Sequence, residues 1–153
     1  MKSNPLGVLQ KCGALLQGHF QLSSGLHSDR YFQCARVFVD PKVGAKLVKL
    51  LVPQLPAATR VIGPALGGIL VAYELARQLG VGNVFAERDK GVMTLRRGFE
   101  LSTGDRVIIA EDVVTTGGSS GEVLQLLRAR GVEVLGLACL VDRSSGTAGA
   151  RLE

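Results

Sequence analysis

Two kinds of apolar pattern take turns along this chain. Short, nearly unbroken apolar runs occur at "TRVIG", "NVFAER", "RVIIAED" and "VEVLGLACLVD". Between them, apolar residues recur every three or four positions. An unbroken run is what a strand shows when helices cover both faces of a parallel sheet. "GGILVAYELARQLG", closing on Gly80, and "GSSGEVLQLLRARG" predict two of the covering helices. Asp40-Pro41 opens a third in "PKVGAKLVKLLVPQL", because Asp caps a helix and Pro is tolerated at its first position. Strand-helix-strand order predicts an α/β fold: an open, mostly parallel sheet with helices on both faces and right-handed crossovers.

The N-terminal part is patterned differently. "NPLGVLQKCGALLQ" carries Leu6, Leu9 and Leu16 at roughly helical spacing and predicts an N-terminal helix. In "HFQLSSGLHSDRYFQCARVFVD" two short runs flank Ser23, Ser24 and Gly25, which predicts a hairpin. "DKGVMTLRRGFELSTGD" is polar, punctuated by glycine, and holds no sustained period.

Composition narrows the picture only a little. At 153 residues the chain is expected to form one domain with a real core. Tryptophan is absent and aromatics reach only 5%, so Val, Leu, Ile and Ala must build that core. The net charge of +5 suits an anionic partner. No Lys/Arg block or aromatic-basic interleaving resembles a nucleic-acid platform, so nucleic acid is a poor candidate. Cys12, Cys34 and Cys139 form no CxxC pair and indicate neither a zinc site nor a disulfide framework. Cys139, inside an apolar run, is expected to be a small buried hydrophobe. No signal peptide is visible and no apolar stretch is long enough for a bilayer, so no membrane partner is expected and a reducing cytoplasm is the expected setting.

Candidate chemistry concentrates in "IIAEDVVTTGGSSG", residues 108–121. In an open parallel sheet, ligands bind beyond the carboxyl ends of the strands. Glu111 and Asp112 fall at such an end, and Thr115, Thr116, Gly117, Gly118 and Ser119 form the turn into the next helix. Unpaired amides at a helix start favour a phosphate, glycines let it approach the backbone, and hydroxyls add donors. Carboxylates cannot bind that same phosphate. They must serve sugar hydroxyls, a magnesium ion or developing positive charge, and a phosphosugar satisfies both halves.

"VIIAEDVVTTGGSS" resembles the phosphoribosyl-diphosphate binding motif of type I phosphoribosyltransferases. Three more stretches resemble orotate phosphoribosyltransferases in particular. These are "HFQLSSGLHSDRYFQC" (an N-terminal hood), "IGPALGGILVAYELA" (a pyrophosphate loop) and "LVDRSSG" (a final strand). The resemblance implies a hood over residues 1–40 and an α/β core over 41–153. It implies transfer of ribose 5-phosphate from phosphoribosyl diphosphate to orotate, giving orotidine 5′-monophosphate and diphosphate for pyrimidine synthesis.

Carried over, Glu111 and Asp112 would hold the ribose hydroxyls, directly or through magnesium-bound water, and no residue would ligate Mg2+ directly. Thr115 to Ser119 would cradle the 5-phosphate, and Ala65, Leu66 and Gly67 would face the diphosphate. Tyr31 and Phe32 would wall the orotate ring, and Arg143 would face its carboxylate. "ERDKGVMTLRRG" corresponds to the family's mobile loop, with Arg88 and Lys90 as the catalytic cations and Arg96 and Arg97 less clearly assigned. A homodimer is implied, because that loop is often shared between subunits.

Ser23, Leu66-Gly67 and Asp89 stand where relatives often carry Lys, Tyr-Lys and Lys, which thins the cations around the diphosphate. After Asp142-Arg143 the family adds another strand, whereas this chain stops at "TAGARLE", so an exposed sheet edge is expected. The rival readings are a phosphoribosyltransferase for another base and a regulator that binds phosphoribosyl diphosphate without turnover. The hood and the "VDR" ending argue against the first. The second needs a nucleic-acid-binding element; there is no room for a separate DNA-binding domain, which leaves a basic RNA-binding surface on a dimer as the open form of that reading.

Overall fold

The structure, a computed structural model, describes residues 4–22 and 25–146. The expectations attached to Ser23, Ser24 and "TAGARLE" lie outside these residues. The chain runs α1 (Pro5–Lys11), β1 (Leu15–Gln21), β2 (His27–Phe32), α2 (Pro41–Val48), β3 (Arg60–Pro64), α3 (Gly67–Leu79), β4 (Gly82–Asp89), β5 (Val92–Leu95), β6 (Arg106–Val114), α4 (Gly118–Arg128) and β7 (Glu133–Asp142). Short 3₁₀ turns span Cys34–Val39 and Val52–Gln54.

Five strands form one sheet in the order β5-β4-β3-β6-β7. Every neighbouring pair is parallel except β4 and β5. β1 and β2 pair antiparallel in a sheet of their own. The unbroken apolar runs are explained by helices on both faces. Ile62, Val107 and Ile109 pack with Val123, Leu124 and Leu127 of α4. Their neighbours in the chain, Val61, Ile108 and Ala110, pack with Val71, Ala72 and Leu75 of α3. Strand side chains alternate between faces, so each residue of β6 is committed to one helix or the other.

Local chemistry fixes the helix ends. Asp40 accepts a hydrogen bond from the Lys42 amide at 2.9 Å and caps α2. Gly80 closes α3 in the left-handed conformation at φ 69°. Two helices are shorter than their apolar spacing predicts. α1 stops at Lys11 because Gly13 turns to φ +70°, after which Leu15 and Leu16 enter β1 instead of a further helical turn. α2 stops at Val48 and is followed by a 3₁₀ turn containing Pro53, whose ring cannot continue an α-helix.

The strand read in "NVFAER" is present as β4, and the larger correction concerns the residues that follow it, 89–95. "ERDKGVMTLRRG" is not an irregular loop: β4 runs on through Asp89 and returns as β5, with Arg88 opposite Met93. Lys90 at φ 50° and Gly91 at φ 84° form the two-residue turn. Positive φ at both central positions is the geometry that suits the twist of a tight hairpin.

Candidate active site

The alternation that builds the core also divides the two acids. Glu111 follows the α4-facing residues of β6, and Ser120 of α4 donates a hydrogen bond from Oγ to Glu111 Oε2 at 2.6 Å. Asp112 follows the α3-facing residues and lies against the first residue of α3. A Cβ added to Gly67 would meet Asp112 Oδ1 at 2.5 Å. The same carboxylate oxygen accepts from the Val113 amide at 2.7 Å. Burial pushes the Glu111 carboxyl up to about 7; the Ser120 hydrogen bond opposes that rise and the charge of Asp112 adds to it.

β6 then leads into the turn expected to hold an anion. Gly117 at φ 74° turns the chain into α4, whose first residue is Gly118. Thr116 Oγ1 accepts from the Gly118 amide at 3.4 Å. A cavity of about 220 Å³ is lined by Thr115 to Ser119 together with Glu111, Arg88 and Glu122. Arg88 reaches it from β4 and is ion-paired with Glu122 of α4. The start of a helix, three hydroxyl residues and a guanidinium together suit a phosphate.

A second cavity, of about 560 Å³, opens between α1, β2 and the end of β7. Phe32, Ser28 and Arg143 line it. The Arg143 guanidinium lies 5.8 Å from the centre of the Phe32 ring and donates from Nη2 to Ser28 Oγ at 3.3 Å. Its backbone amide donates to the Val114 carbonyl at 2.8 Å, which ties the end of β7 to the end of β6. An apolar wall beside a fixed guanidinium suits a flat ring carrying a carboxylate.

Not every expected residue converges. Tyr31 projects from the opposite side of β2 and stacks on Phe20, with ring centres 5.7 Å apart. Lys90 sits at the tip of the β4–β5 hairpin and lines neither cavity. Arg97 is held by Glu87 through two hydrogen bonds of 3.0 and 3.1 Å and lies over Phe85, a role in the hairpin's surface. Ala65 donates its amide to the Ala86 carbonyl at 2.7 Å, and Leu66 beside it is 84% exposed, so this loop lies open at the same sheet end. Cys139 is half-buried, not fully buried as its apolar run suggested. Burial holds its thiol up to about 11 and that of Cys34 up to about 12, so both stay protonated and inert.

Comparison with known proteins places the chain in a family. The sequence model of the phosphoribosyl transferase domain matches residues 57–150. The orotate phosphoribosyltransferase of Desulforamulus reducens is 50% identical over 152 residues, covering 97% of this chain and 80% of that protein. The chain belongs to the orotate phosphoribosyltransferase family. The member from Carboxydothermus hydrogenoformans is 55% identical over 137 residues, which cover 87% of this chain and 72% of that one. A crystal structure of the orotate phosphoribosyltransferase from Aeropyrum pernix superposes with a TM-score of 0.83 at 33% identity, covering 95% of this chain and 85% of that one. The expected α/β fold and family are therefore both borne out.

Around this candidate site, three residues went unread in the sequence. Ser120 is fully buried and holds Glu111. Glu122 pairs with Arg88, and Ser28 accepts from Arg143. Ser120 did carry a signal: it shares the helical period of Val123, Leu124 and Leu127, the buried face of α4.

Proposed function

We propose that this chain transfers ribose 5-phosphate from phosphoribosyl diphosphate to a ring nitrogen of orotate, releasing diphosphate and giving orotidine 5′-monophosphate. The observation that carries this reading is the meeting, at one end of the sheet, of an anion cradle, two carboxylates and a guanidinium over an aromatic ring. The 5-phosphate sits in the Thr115–Ser119 turn. Glu111 and Asp112 accept from the ribose hydroxyls. Arg143 pairs with the orotate carboxylate while Phe32 walls the ring.

Positioning and charge stabilisation do most of the work in such a displacement, because the sugar passes through an oxocarbenium-like state. The two acids lie near that developing positive charge. Arg88, with Lys90 at the hairpin tip, balances the departing diphosphate, and the open Ala65–Gly67 loop lies along its path. No group of three or more metal-ligating side chains occurs among the described residues. Adjacent carboxylates with few partners suit a magnesium ion that keeps its waters and rides on the substrate. Glu111 and Asp112 would hold such an ion through its waters, and it would supply charge neutralisation on the diphosphate.

We take the working form to be a homodimer, a reading supported by the apolar side chains of Leu70 and Tyr73 left exposed on α3. The cytoplasm is its setting in this reading, with the thiols of Cys12, Cys34 and Cys139 free. Among the described residues, no helix is long and apolar enough to cross a membrane.

Orotate depletion with magnesium and phosphoribosyl diphosphate tests the assignment, run beside Asp112→Asn and Arg143→Ala. Wild type is expected to consume orotate with stoichiometric diphosphate, and both variants to be severely impaired. Binding of phosphoribosyl diphosphate with no loss of orotate would overturn the substrate and favour a non-catalytic regulator.

A further inference from the structure

Ser120 is a polar side chain where packing alone asks for an apolar one. It is wholly inaccessible and faces the core from the first turn of α4, on the same side as Val123 and Leu124. Burying a hydroxyl there is unfavourable unless it is hydrogen-bonded, and its partner is Glu111 Oε2 at 2.6 Å. Glu111 is itself buried and lines the cavity enclosed by the Thr115–Ser119 turn. The bond therefore joins two parts of the site that the chain reaches separately. One is the acid at the end of β6; the other is the helix whose preceding turn forms the anion cradle.

The geometry points to Ser120 as a positioning residue for the sugar. By tying Oε2 to α4, its hydroxyl leaves Oε1 as the oxygen offered to the ribose diol, and sets the span between the diol site and the phosphate cradle. This inference rests on the proposed binding of phosphoribosyl diphosphate at that cavity, and it gives Glu111 a fixed orientation that the strand end alone does not supply. Without the hydroxyl, one carboxylate oxygen loses its buried partner and the group turns toward whatever donor remains.

Calorimetric titration with phosphoribosyl diphosphate and magnesium tests this without requiring turnover. The variants are Ser120→Ala and Ser120→Thr, the latter keeping the hydroxyl, each alone and in the Glu111→Ala background. Ser120→Ala is expected to weaken binding on the order of tenfold, the scale of one hydrogen bond to a charged group. Ser120→Thr is expected to restore most of it. In the Glu111→Ala background Ser120→Ala is expected to have no further effect, the mark of a residue acting through its partner. Steady-state assays on the single variants should place the change in KM for phosphoribosyl diphosphate and leave KM for orotate unchanged.

Wild-type affinity in Ser120→Ala overturns the inference, as does an equal loss in both backgrounds. If wild type binds phosphoribosyl diphosphate but leaves orotate untouched, the catalytic assignment fails while the titrations still decide the role of Ser120. If wild type consumes orotate and Ser120→Ala binds normally, only the inference fails.

Discussion

Asp112 lies so close to the backbone of Gly67 that a Cβ there would sit 2.5 Å from Oδ1 and 2.7 Å from Oδ2. The resemblance of "IGPALGGILVAYELA" to the family's pyrophosphate loop implies a lysine at this place. Here the start of α3 and the carboxylate at the end of β6 occupy adjoining space, so a side chain at residue 67 and Asp112 in its present rotamer are mutually exclusive. Restoring the family lysine would displace the acid before it could add a cation.

Gly67→Ala is accordingly expected to lower kcat/KM on the order of tenfold or more while leaving the fold intact. The obstruction is the end of a short side chain, which can swing, so the melting temperature should fall by only a few degrees. Thermal unfolding and steady-state kinetics on the same preparation check both halves. A Gly67→Ala variant with wild-type kinetics would remove Asp112 from the working site.

Glu111 makes the site sensitive to pH in the neutral range. Its carboxyl is held up to about 7 by burial, against an ordinary value of 4.5. The charged form accepts two hydroxyl hydrogens better than the neutral acid, so kcat/KM is expected to rise with pH through a limb centred near 7. Stability runs the other way. The folded chain binds this proton more tightly than the unfolded chain, so the contribution is fully present below about 4.5 and is lost as pH rises through about 7. Glu111→Gln keeps an acceptor for Ser120 and removes the buried charge. It is expected to raise the melting temperature at pH 8 by about 2–4 °C for each kcal/mol recovered, and to flatten the pH dependence of stability between 5 and 8. Its activity should fall sharply. Melting curves across that range, set beside the pH–rate profile, decide it.

Much of this was legible from the chain because the signals were local or periodic. The Asp40-Pro41 cap, the Gly80 stop and the apolar runs of β3, β6 and β7 each depend on neighbours within a few residues. The geometry of the candidate anion turn was legible for the same reason, as a strand end, a glycine turn and a helix start in sequence. What escaped depends on partners distant in the chain. β5 is four residues long and exists because β4 offers it an edge. Tyr31 and Phe32 are adjacent, yet the pleat sends one to Phe20 and the other to Arg143. Arg88 closes the strand read in "NVFAER", but its partner Glu122 lies on a helix beyond the intervening β6. Leu15 and Leu16 continued a helical spacing until Gly13 redirected the backbone.

Arg88 offers a clean separation of stability from function. Its ion pair with Glu122 is exposed on both sides, at 44% and 41%, and such pairs contribute at most about 1 kcal/mol. Arg88→Ala should therefore change the melting temperature by no more than about 4 °C. Removing a guanidinium that lines the cradle should nonetheless lower kcat/KM for phosphoribosyl diphosphate on the order of a hundredfold, as for the loss of one charge-stabilising group. A large stability loss with intact kinetics would make Arg88 a strut between β4 and α4.

Lys90 is the cation whose role the hairpin puts most sharply to the test. It occupies φ 50°, where a long side chain is uncommon and asparagine is favoured, and Gly91 follows at φ 84°. Lys90→Asn produces the preferred Asn-Gly turn and is expected to stabilise the chain by about 0.5–1 kcal/mol, raising the melting temperature by about 1–4 °C. Retaining lysine at a strained position is reasonable if its ammonium meets the diphosphate. The same variant should then bind phosphoribosyl diphosphate severalfold more weakly. Unfolding and titration answer different questions on one protein: an unchanged melting temperature refutes the turn argument, and an unchanged affinity removes Lys90 from the site and leaves Arg88 as the hairpin's cation for the diphosphate.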